Sequence, residues 1–300
     1  MRIAITGGTG FVGSHLIERA LAEGHRINAL TRRPQKPQDG LTWIDGALDA
    51  PESLATLCAG CDAVIHVAGV INGSAHDFHQ GNIVGTEAII AAAAGAGIER
   101  FVHVSSLSAR EPSLSAYGRS KLESEEPVIA TGRGWTIVRP PAIYGPRDRE
   151  MLDLFRFARR GVLPLPPGGR ISVIHVEDLC RLLLACIDNP LAEGRLFEPD
   201  DGREDGWTPV EFARAIGRAV GRRVLALPMP KALLMAGVRI DKAIRGEKAK
   251  LTRDRVNYFC HPDWVSAPHA RPPVDLWLPH IPTEDGLAAT ARWYEAQGWL

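Results

Sequence analysis

Short apolar runs alternate with amphipathic segments over the first half of the chain. The runs RIAIT, RINAL, LTWID, DAVIHVA, RFVHVSS and WTIVRP are largely apolar, which is typical of strands buried on both faces. The segments between them carry apolar residues at helical spacing, for example from Phe11 to Glu23 and from Asp77 to Ala96. This alternation predicts a doubly wound α/β domain, in which helices cover both faces of a parallel sheet.

The pattern loosens after Pro140, where stretches rich in proline and glycine appear. One further strand-helix unit, ISVIHVEDLCRLLLACI, is expected to return to the sheet. We therefore assign residues 1–145, plus roughly 170–190, to the α/β domain, and residues 146–169 and 191–300 to a smaller α/β substrate-binding lobe. The stretch LALPMPKALLMAGV brings apolar side chains to this lobe, either to line a pocket or to pack its core.

The composition limits what the chain can bind. Lys plus Arg number 35 and Asp plus Glu number 35, so no net charge favours nucleic acid or an anionic membrane. No apolar run reaches the roughly 18 residues of a membrane span, and the first residues lack a signal-peptide layout. The five cysteines are scattered and fit reduced thiols, so we expect a cytoplasmic protein.

Two residue pairs have the spacing of metal ligands. Cys58 and Cys61 form a C-x-x-C, and His76 and His79 lie three positions apart. No further ligand pair completes either set, so we expect no metal site. The cysteines are instead expected to close a helix before the next strand.

The segment TGGTGFVG lies between the first predicted strand and the first predicted helix. Gly8, Gly10 and Gly13 fit G-x-G-x-x-G, and Gly7 with the last two fits G-x-x-G-x-x-G. Glycines at these positions let the backbone approach a diphosphate, whose charge then lies at the N-terminus of the helix. The segment therefore predicts dinucleotide binding by a Rossmann-type sheet.

The end of the second strand bears on the choice of cofactor. An acidic residue there would bind the ribose hydroxyls of NAD, whereas an arginine accommodates the 2′-phosphate of NADP. The sequence NALTRRP places Arg32 and Arg33 at this point and no carboxylate. Because guanidinium suits phosphate, we favour NADP(H), with NAD(H) as the alternative.

The segment SAYGRSKLESEE places Tyr117 four residues before Lys121, on the same face of a helix. A nearby ammonium favours the phenolate, so we expect the pKa of Tyr117 to fall from about 10 toward neutrality. A tyrosine with such a pKa can transfer a proton to or from a substrate oxygen. A half-buried aromatic beside a solvated charge is the alternative, and this pair alone does not decide.

Taken together, these features resemble the short-chain dehydrogenase/reductase superfamily, and within it the extended, NAD-dependent epimerase/dehydratase-like branch. The resemblance covers nearly the whole chain. It rests on the stretches TGGTGFVG, DAVIHVAG, GNIVGTEAII, RFVHVSS, YGRSK, IVRPPAIYGPRD, IHVEDL and IPTEDGLAATARWYEAQGWL.

The resemblance implies a role for each matching residue. Tyr117 would be the general acid/base, Lys121 would bind the nicotinamide ribose, and Ser106 would hydrogen-bond the substrate oxygen. Ser105 and Ser108 are the other hydroxyls in that stretch, and His66 is expected to be a packed core histidine. The implied cofactor-binding residues are Gly7, Gly10, Phe11, Val12, Gly13, Arg32, Arg33, Leu48, Ala68, Gly69, Asn82, Lys121, Pro140 and Ile143.

Three features depart from the resembled pattern. Ser106 and Tyr117 are only 11 positions apart, which leaves no room for the insert that sugar-nucleotide epimerases of this branch usually have. Ala47 stands where many members have an aspartate near the adenine, so Leu48 would carry that contact. The Thr-Asp-Glu of the 4,6-dehydratases is replaced by SSL, which disfavours sugar dehydration.

We therefore expect an NADP(H)-dependent reductase or dehydrogenase for a small carbonyl or secondary alcohol. Two other functions use the same fold: a nucleotide-sugar epimerase with tightly bound NAD, and a non-catalytic dinucleotide-binding protein like the complex-I accessory subunit group. The resemblance also suggests a homodimer built from the helices near Asp77 and Ser115.

Overall fold

A computed structural model describes residues 1–132, 134–246 and 252–300 of the chain. The helices are α1 (Phe11–Ala22), α2 (Pro51–Cys58), α3 (Ala75–Phe78), α4 (Gly85–Gly95), α5 (Ala116–Ile129), α6 (Leu152–Arg159), α7 (Val176–Ala185), α8 (Pro209–Ala219), α9 (Lys231–Arg245), α10 (Arg253–Phe259) and α11 (Thr283–Ala296). The strands are β1 (Arg2–Thr6), β2 (Arg26–Thr31), β3 (Leu41–Asp45), β4 (Ala63–His66), β5 (Arg100–Val104), β6 (Trp135–Val138), β7 (Ala142–Tyr144), β8 (Val162–Leu165), β9 (Arg170–Ile171), β10 (Val173–His175), β11 (Arg195–Phe197), β12 (Leu225–Pro228) and β13 (Asp263–Trp264).

Within the described residues, seven strands form one parallel sheet in the order β11-β6-β5-β4-β1-β2-β3. The order reverses at β1, because the chain runs outward to β3 on one side and to β6 and β11 on the other. Ligands of open α/β sheets bind where the order reverses, beside the carboxyl ends of the strands. The predicted Rossmann-type doubly wound fold is confirmed.

Each face of this sheet has its own core. Buried residues of α1 and α7 pack on one face, as Leu16 and Leu179 do, and both are fully buried. Buried residues of α2, α4 and α5 pack on the other face, among them Leu54, Ile89 and Val128. Both faces are covered, which explains why the strands read as continuous apolar runs rather than as alternating ones.

The C-terminal lobe has a separate core and several short parallel strand pairs. Helices α6, α8 and α11 pack together around Phe155, Phe212 and Tyr294. Strand β12 pairs with β8, and β13 pairs with β9. No helix within the described residues is both long enough and apolar enough to cross a membrane.

The structure departs from the sequence-based elements at three places. The helix predicted from Asp77 to Ala96 contains a π-helical segment, His79–Val84, between α3 and α4. Strand β11 pairs with β6 and extends the main sheet, although its residues fall in the range assigned to the lobe. Strand β10 pairs only with β7, and it is α7 that returns to the main core.

Candidate active site

The glycine loop between β1 and α1 is closed by very short backbone contacts. Gly7 has φ +73, and a Cβ there would lie 2.7 Å from the amide nitrogen of Ala68, at the end of β4. A Cβ on Gly13 would lie 2.1 Å from the carbonyl oxygen of Gly7. Side chains at these two positions would therefore force the loop open.

The N-terminus of α1 fits a dinucleotide diphosphate. Gly10 is the N-cap residue, it makes no side-chain cap, and the first turn carries no acidic residue. The half-buried Phe11 and Val12 occupy that turn beside Gly13. Uncapped amides at a helix N-terminus bind phosphate well, and the missing Cβ atoms leave room for a close approach.

The two arginines after β2 are exposed and have no ion-pair partner among the residues described. The Thr31 hydroxyl donates to the Arg33 carbonyl at 2.7 Å and accepts from the Arg33 amide at 3.2 Å, which folds the chain into a turn. Both arginines lie at the carboxyl end of β2, on the same edge of the sheet as the glycine loop. Their guanidinium groups are free to bind a phosphate.

Asn82 joins the loop after β4 to the helix that carries the tyrosine. Its side chain accepts from the Val70 amide at 2.6 Å and donates to the Val70 carbonyl at 3.0 Å and to the Ser120 hydroxyl at 2.8 Å. Asn82 is 1% exposed. A Cβ on Gly69 would lie 3.1 Å from Asn82 Oδ1 and 3.8 Å from Lys121 Nζ, so these three residues are neighbours.

The three hydroxyls after β5 make different contacts. Ser105 Oγ donates to the Glu125 carboxylate and is buried. Ser108 Oγ donates to Ser106 Oγ at 2.9 Å. The Ser106 side chain in turn hydrogen-bonds that of Tyr117. Of the three serines, Ser106 is thus the one in contact with the phenol.

The charge states of Tyr117 and Lys121 differ from the simple expectation. Burial raises the pKa of Tyr117, and the hydrogen bond from Ser106 offsets part of this rise. Lys121 does not act on the phenol as predicted: its Nζ donates to the Val104 carbonyl at 2.8 Å. Burial lowers the pKa of Lys121 to about 8, against the opposing charge of Glu125. Tyr117 therefore stays protonated at neutral pH.

A close contact at the start of α5 brings Tyr117 to Ser106. Ser115 caps the helix by accepting from the Gly118 amide at 2.9 Å. A Cβ on Gly118 would lie 2.6 Å from the Ser108 carbonyl oxygen. Glycine at 118 therefore lets α5 pack against the 3₁₀ turn Leu107–Arg110, and the sequence analysis did not identify this requirement.

A buried ion-pair network holds the helix α5, which carries Tyr117 and Lys121. The sequence analysis did not identify it. Arg139 makes two bonds to Glu125, with Nε to Oε1 at 2.8 Å and Nη2 to Oε2 at 2.6 Å. Its Nη1 lies 3.7 Å from Glu198, which is also 3.6 Å from Arg110. Glu125 and Glu198 are each 2% exposed. The network joins α5 to the lobe, because Arg110 also donates to the Asp263 and Val265 carbonyls.

Phe78 of α3 is the aromatic neighbour of Tyr117, with ring centroids 6.0 Å apart. Tyr258 of α10 belongs to the lobe, where burial raises its pKa and the charge of Tyr117 adds to the rise. Tyr258 also packs on Trp264, with centroids 4.4 Å apart. No motif in the sequence identified Tyr258, because its position depends on the fold of the lobe.

The remaining predicted cofactor residues lie at the same edge of the sheet. The half-buried Leu48 packs on α4, where a Cβ on Gly85 would lie 2.7 Å from its Cδ1. Pro140 follows β6 and accepts from the Leu107 amide at 3.0 Å. Ile143 lies in β7, opposite Ile174.

The residues expected to be structural are packed in the core. His66 is fully buried between the hydroxyls of Thr6 and Thr86, at 2.6 and 3.0 Å, and burial lowers its pKa to about 3. This confirms the prediction of a core histidine. Cys58 ends α2, and burial raises its pKa to about 12 and that of Cys61 to about 11, so both thiols stay protonated.

Comparisons with known proteins show the family and the fold. The profile of the NAD dependent epimerase/dehydratase family matches residues 3–197. A ceramide reductase of Caulobacter vibrioides is 38% identical over 99% of this chain and 96% of its own. A 4-hydroxy-2-methyl-3-oxo-4-farnesyl-3,4-dihydroquinoline-1-oxide ketoreductase of Stigmatella aurantiaca is 34% identical over 71% of this chain and 70% of its own. The solved complex of MoeE5 with UDP-glucose and NAD shares the fold, with TM-score 0.77 over 99% of both chains at 21% identity.

Proposed function

Because this chain belongs to the NAD-dependent epimerase/dehydratase family and is an NAD(P)-dependent oxidoreductase, we propose that it is an NADPH-dependent ketoreductase for a long-chain, lipid-like ketone. The observation that carries the proposal is that the close packing of Gly118 on Ser108 brings the Ser106 hydroxyl and the Tyr117 phenol together at the carboxyl edge of the sheet. Lys121 lies one helical turn further along α5.

The protonation state of Tyr117 supports reduction rather than oxidation. Reducing a ketone requires a proton for the carbonyl oxygen, and a phenol whose pKa is raised by burial holds that proton at neutral pH. Bound NADPH would supply the hydride. Ser106 would hold the oxygen by a hydrogen bond, and Lys121, protonated below its pKa of about 8, would bind the nicotinamide ribose.

The preference for NADPH rests on Arg32 and Arg33. Both are exposed beside the glycine loop, and neither has an ion-pair partner in the described part of the chain. A 2′-phosphate would meet two guanidinium groups there, whereas the 2′-hydroxyl of NADH would meet no carboxylate.

The substrate class comes from the relatives. The sequence analysis expected a small carbonyl compound, but a relative at 38% identity over nearly the full length is named for ceramide, and another acts on a farnesylated oxo compound. The oxidised partner of ceramide's secondary alcohol is an N-acylated long-chain amino ketone. We take such a ketone as the substrate class.

The test is NADPH consumption with a series of N-acylated amino ketones of increasing chain length. We expect turnover that rises with chain length and is faster with NADPH than with NADH. NAD that co-purifies, resists dialysis and supports sugar epimerisation without net oxidation would favour an epimerase. Tight NADPH binding without turnover of any ketone would favour a structural role.

We also infer a homodimer built from the α3–α4 region and α5, as the family resemblance suggests. Light scattering of the purified chain measures this directly, and a clean monomer would contradict it.

A further inference from the structure

The outer face of the strand pair β8/β12 is apolar and exposed. The pair is parallel, with Leu225 opposite Val162 and Leu227 opposite Pro164. The alternate residues Leu163 and Leu165 point inward and pack in the lobe core. The outward positions on both strands therefore hold only apolar side chains. Val162 is 39% exposed, Leu225 61% and Leu227 39%.

Helix α9, which follows β12 in the chain, is also apolar and poorly buried at its start. It begins at Lys231, three residues after β12 ends, and its first turns read KALLMAGV. Leu233 is 52% exposed, and Leu234, Met235 and Val238 are only partly buried. An amphipathic helix of a globular protein usually buries its apolar side chains in a core. In α9, none of the described side chains from Lys231 to Arg239 is buried.

Three exposed arginines precede the adjacent starts of β8 and β12. Arg160 directly precedes the Gly161–Val162 end of β8, and Arg222 and Arg223 precede β12. The two strand starts are adjacent, because the Leu225 amide donates to the Gly161 carbonyl at 2.9 Å. All three arginines are exposed and have no ion-pair partner among the described residues. The nearby arginines of α6 differ, since Arg156 pairs with Asp153 and Arg159 with Glu295.

The same surface leads to the candidate active site. Helix α9 packs against α10, which carries Tyr258, and Tyr117 is near enough to Tyr258 to raise its pKa. A hydrocarbon chain lying along α9 would therefore approach the phenol from the lobe side.

We propose that the apolar strip formed by Val162, Pro164, Leu225, Leu227 and the start of α9 docks the protein on an anionic lipid bilayer, from which it takes its substrate. The inference rests on the proposed lipid-like substrate. Contiguous exposed apolar residues mark an interaction surface, and the neighbouring arginines, which have no ion-pair partner among the described residues, complement anionic headgroups. The net charge of zero predicted no membrane partner, but docking depends on the local placement of charge.

The test is flotation of the full-length chain with lipid vesicles, without cofactor or substrate. We expect binding to phosphatidylcholine vesicles that contain about a third phosphatidylglycerol, and weaker binding to pure phosphatidylcholine. The Leu225→Asp/Leu227→Asp variant should bind at least about tenfold more weakly. The matched control is Leu191→Asp/Leu278→Asp, at positions 46% and 50% exposed, and it should bind as the parent does.

A second pair of variants tests the arginines. Arg222→Gln/Arg223→Gln should weaken binding to the anionic vesicles by roughly fivefold for each charge removed. Arg26→Gln/Arg195→Gln removes the same charge from exposed positions outside the strip and should leave binding unchanged. Turnover of a water-soluble ketone should be unchanged in all four variants. Turnover of a vesicle-embedded ketone should fall in Leu225→Asp/Leu227→Asp and Arg222→Gln/Arg223→Gln and should not fall in the two controls.

Three outcomes would overturn the docking proposal: no vesicle binding by the parent chain, equal binding by the strip variant and its control, or a dimer that Leu225→Asp/Leu227→Asp turns into a monomer. The last would assign the strip to a second copy of the chain. Vesicle binding is measured without turnover, so failure of the ketoreductase proposal would be seen separately, as absence of NADPH consumption with every ketone.

Discussion

The sheet side of the candidate active site and the apolar strip of the lobe differ in polarity and in burial. On the sheet side, Lys121, Asn82 and Glu125 are polar and at most 4% exposed, and each is held by hydrogen bonds. In the lobe, the strip around Leu225 and the start of α9 is apolar and exposed. Proton transfer requires groups fixed in place, whereas docking on a bilayer requires mainly exposed apolar area. In our proposals the sheet side performs the chemistry, and the strip brings the protein to its lipid-like substrate.

The largest expected effect is on kcat, and it distinguishes Tyr117 of the sheet side from Tyr258 of the lobe. Tyr117→Phe removes the proton donor and should lower kcat about 10²- to 10⁴-fold, with NADPH affinity unchanged. Tyr258→Phe, on the lobe side, should lower kcat less than about tenfold, because its phenol is outside the proposed transfer. Steady-state kinetics with a long-chain ketone and NADPH titration measure both. Near-parental turnover by Tyr117→Phe would refute the assignment.

The second effect concerns stability. Glu125→Gln leaves Arg139 without its bidentate partner in a buried position and should lower the free energy of unfolding by about 3–5 kcal/mol. The exposed pair Arg218–Glu284 of the lobe provides the control, since Glu284→Gln should cost less than about 1 kcal/mol. Urea denaturation measures both variants. Equal losses would mean that the sheet side gains no special stability from its buried pair.

The third effect is a pH dependence that belongs to Lys121. Its pKa is about 8 in the folded chain and about 10.4 when unfolded, so between these values the unfolded chain binds more protons and stability rises with pH. The penalty for keeping the buried ammonium is therefore full below pH 8 and fades above it.

Lys121→Met removes this dependence. The unfolding free energy of the parent relative to the variant should increase by about 2 kcal/mol from pH 7 to pH 9.5. Chemical denaturation of both proteins at the two pH values measures the difference, and taking the difference cancels the titration of tyrosines and cysteines. A parent–variant difference that is flat over this range would show that Lys121 is solvated.

The smallest effect concerns the cofactor. Arg32→Ser/Arg33→Ser should weaken NADPH binding about tenfold and leave NADH binding unchanged, because only the 2′-phosphate needs the guanidinium groups. Arg195→Ser, at an exposed position in β11, is the control. Equal weakening for both cofactors would remove the argument for NADPH preference.

The sequence was most informative where one local rule determines the structure. The glycine loop, the alternation of strands and helices up to β6 and the helical spacing of Tyr117 and Lys121 follow from backbone sterics and periodicity, and the structure has all of them. The choice among Ser105, Ser106 and Ser108 was left to family resemblance. It depends on tertiary packing, because the hydroxyl of Ser105 donates a hydrogen bond to Glu125 and is not available to a substrate. Partners such as Arg139 and Glu125 are set by tertiary packing and leave no periodic signal.

The lobe was harder to predict for a related reason. Its strands are two to four residues long, and each pairs with a segment distant in sequence, as β8 does with β12. Short strands carry little alternation, so pattern alone could not say that Leu225 and Leu227 face outward. The joining of β11 to the main sheet likewise depends on a pairing that no local rule specifies.

The position of Asn82 depends on the number of residues in the π-helical segment His79–Val84. A wide turn accommodates one residue more than an α-helix would. Deleting Gly81 would let the segment wind regularly and would swing Asn82 by about 100° around the axis, away from Val70 and Ser120. A gap of one residue here would therefore disconnect the β4 loop from the helix that carries Tyr117.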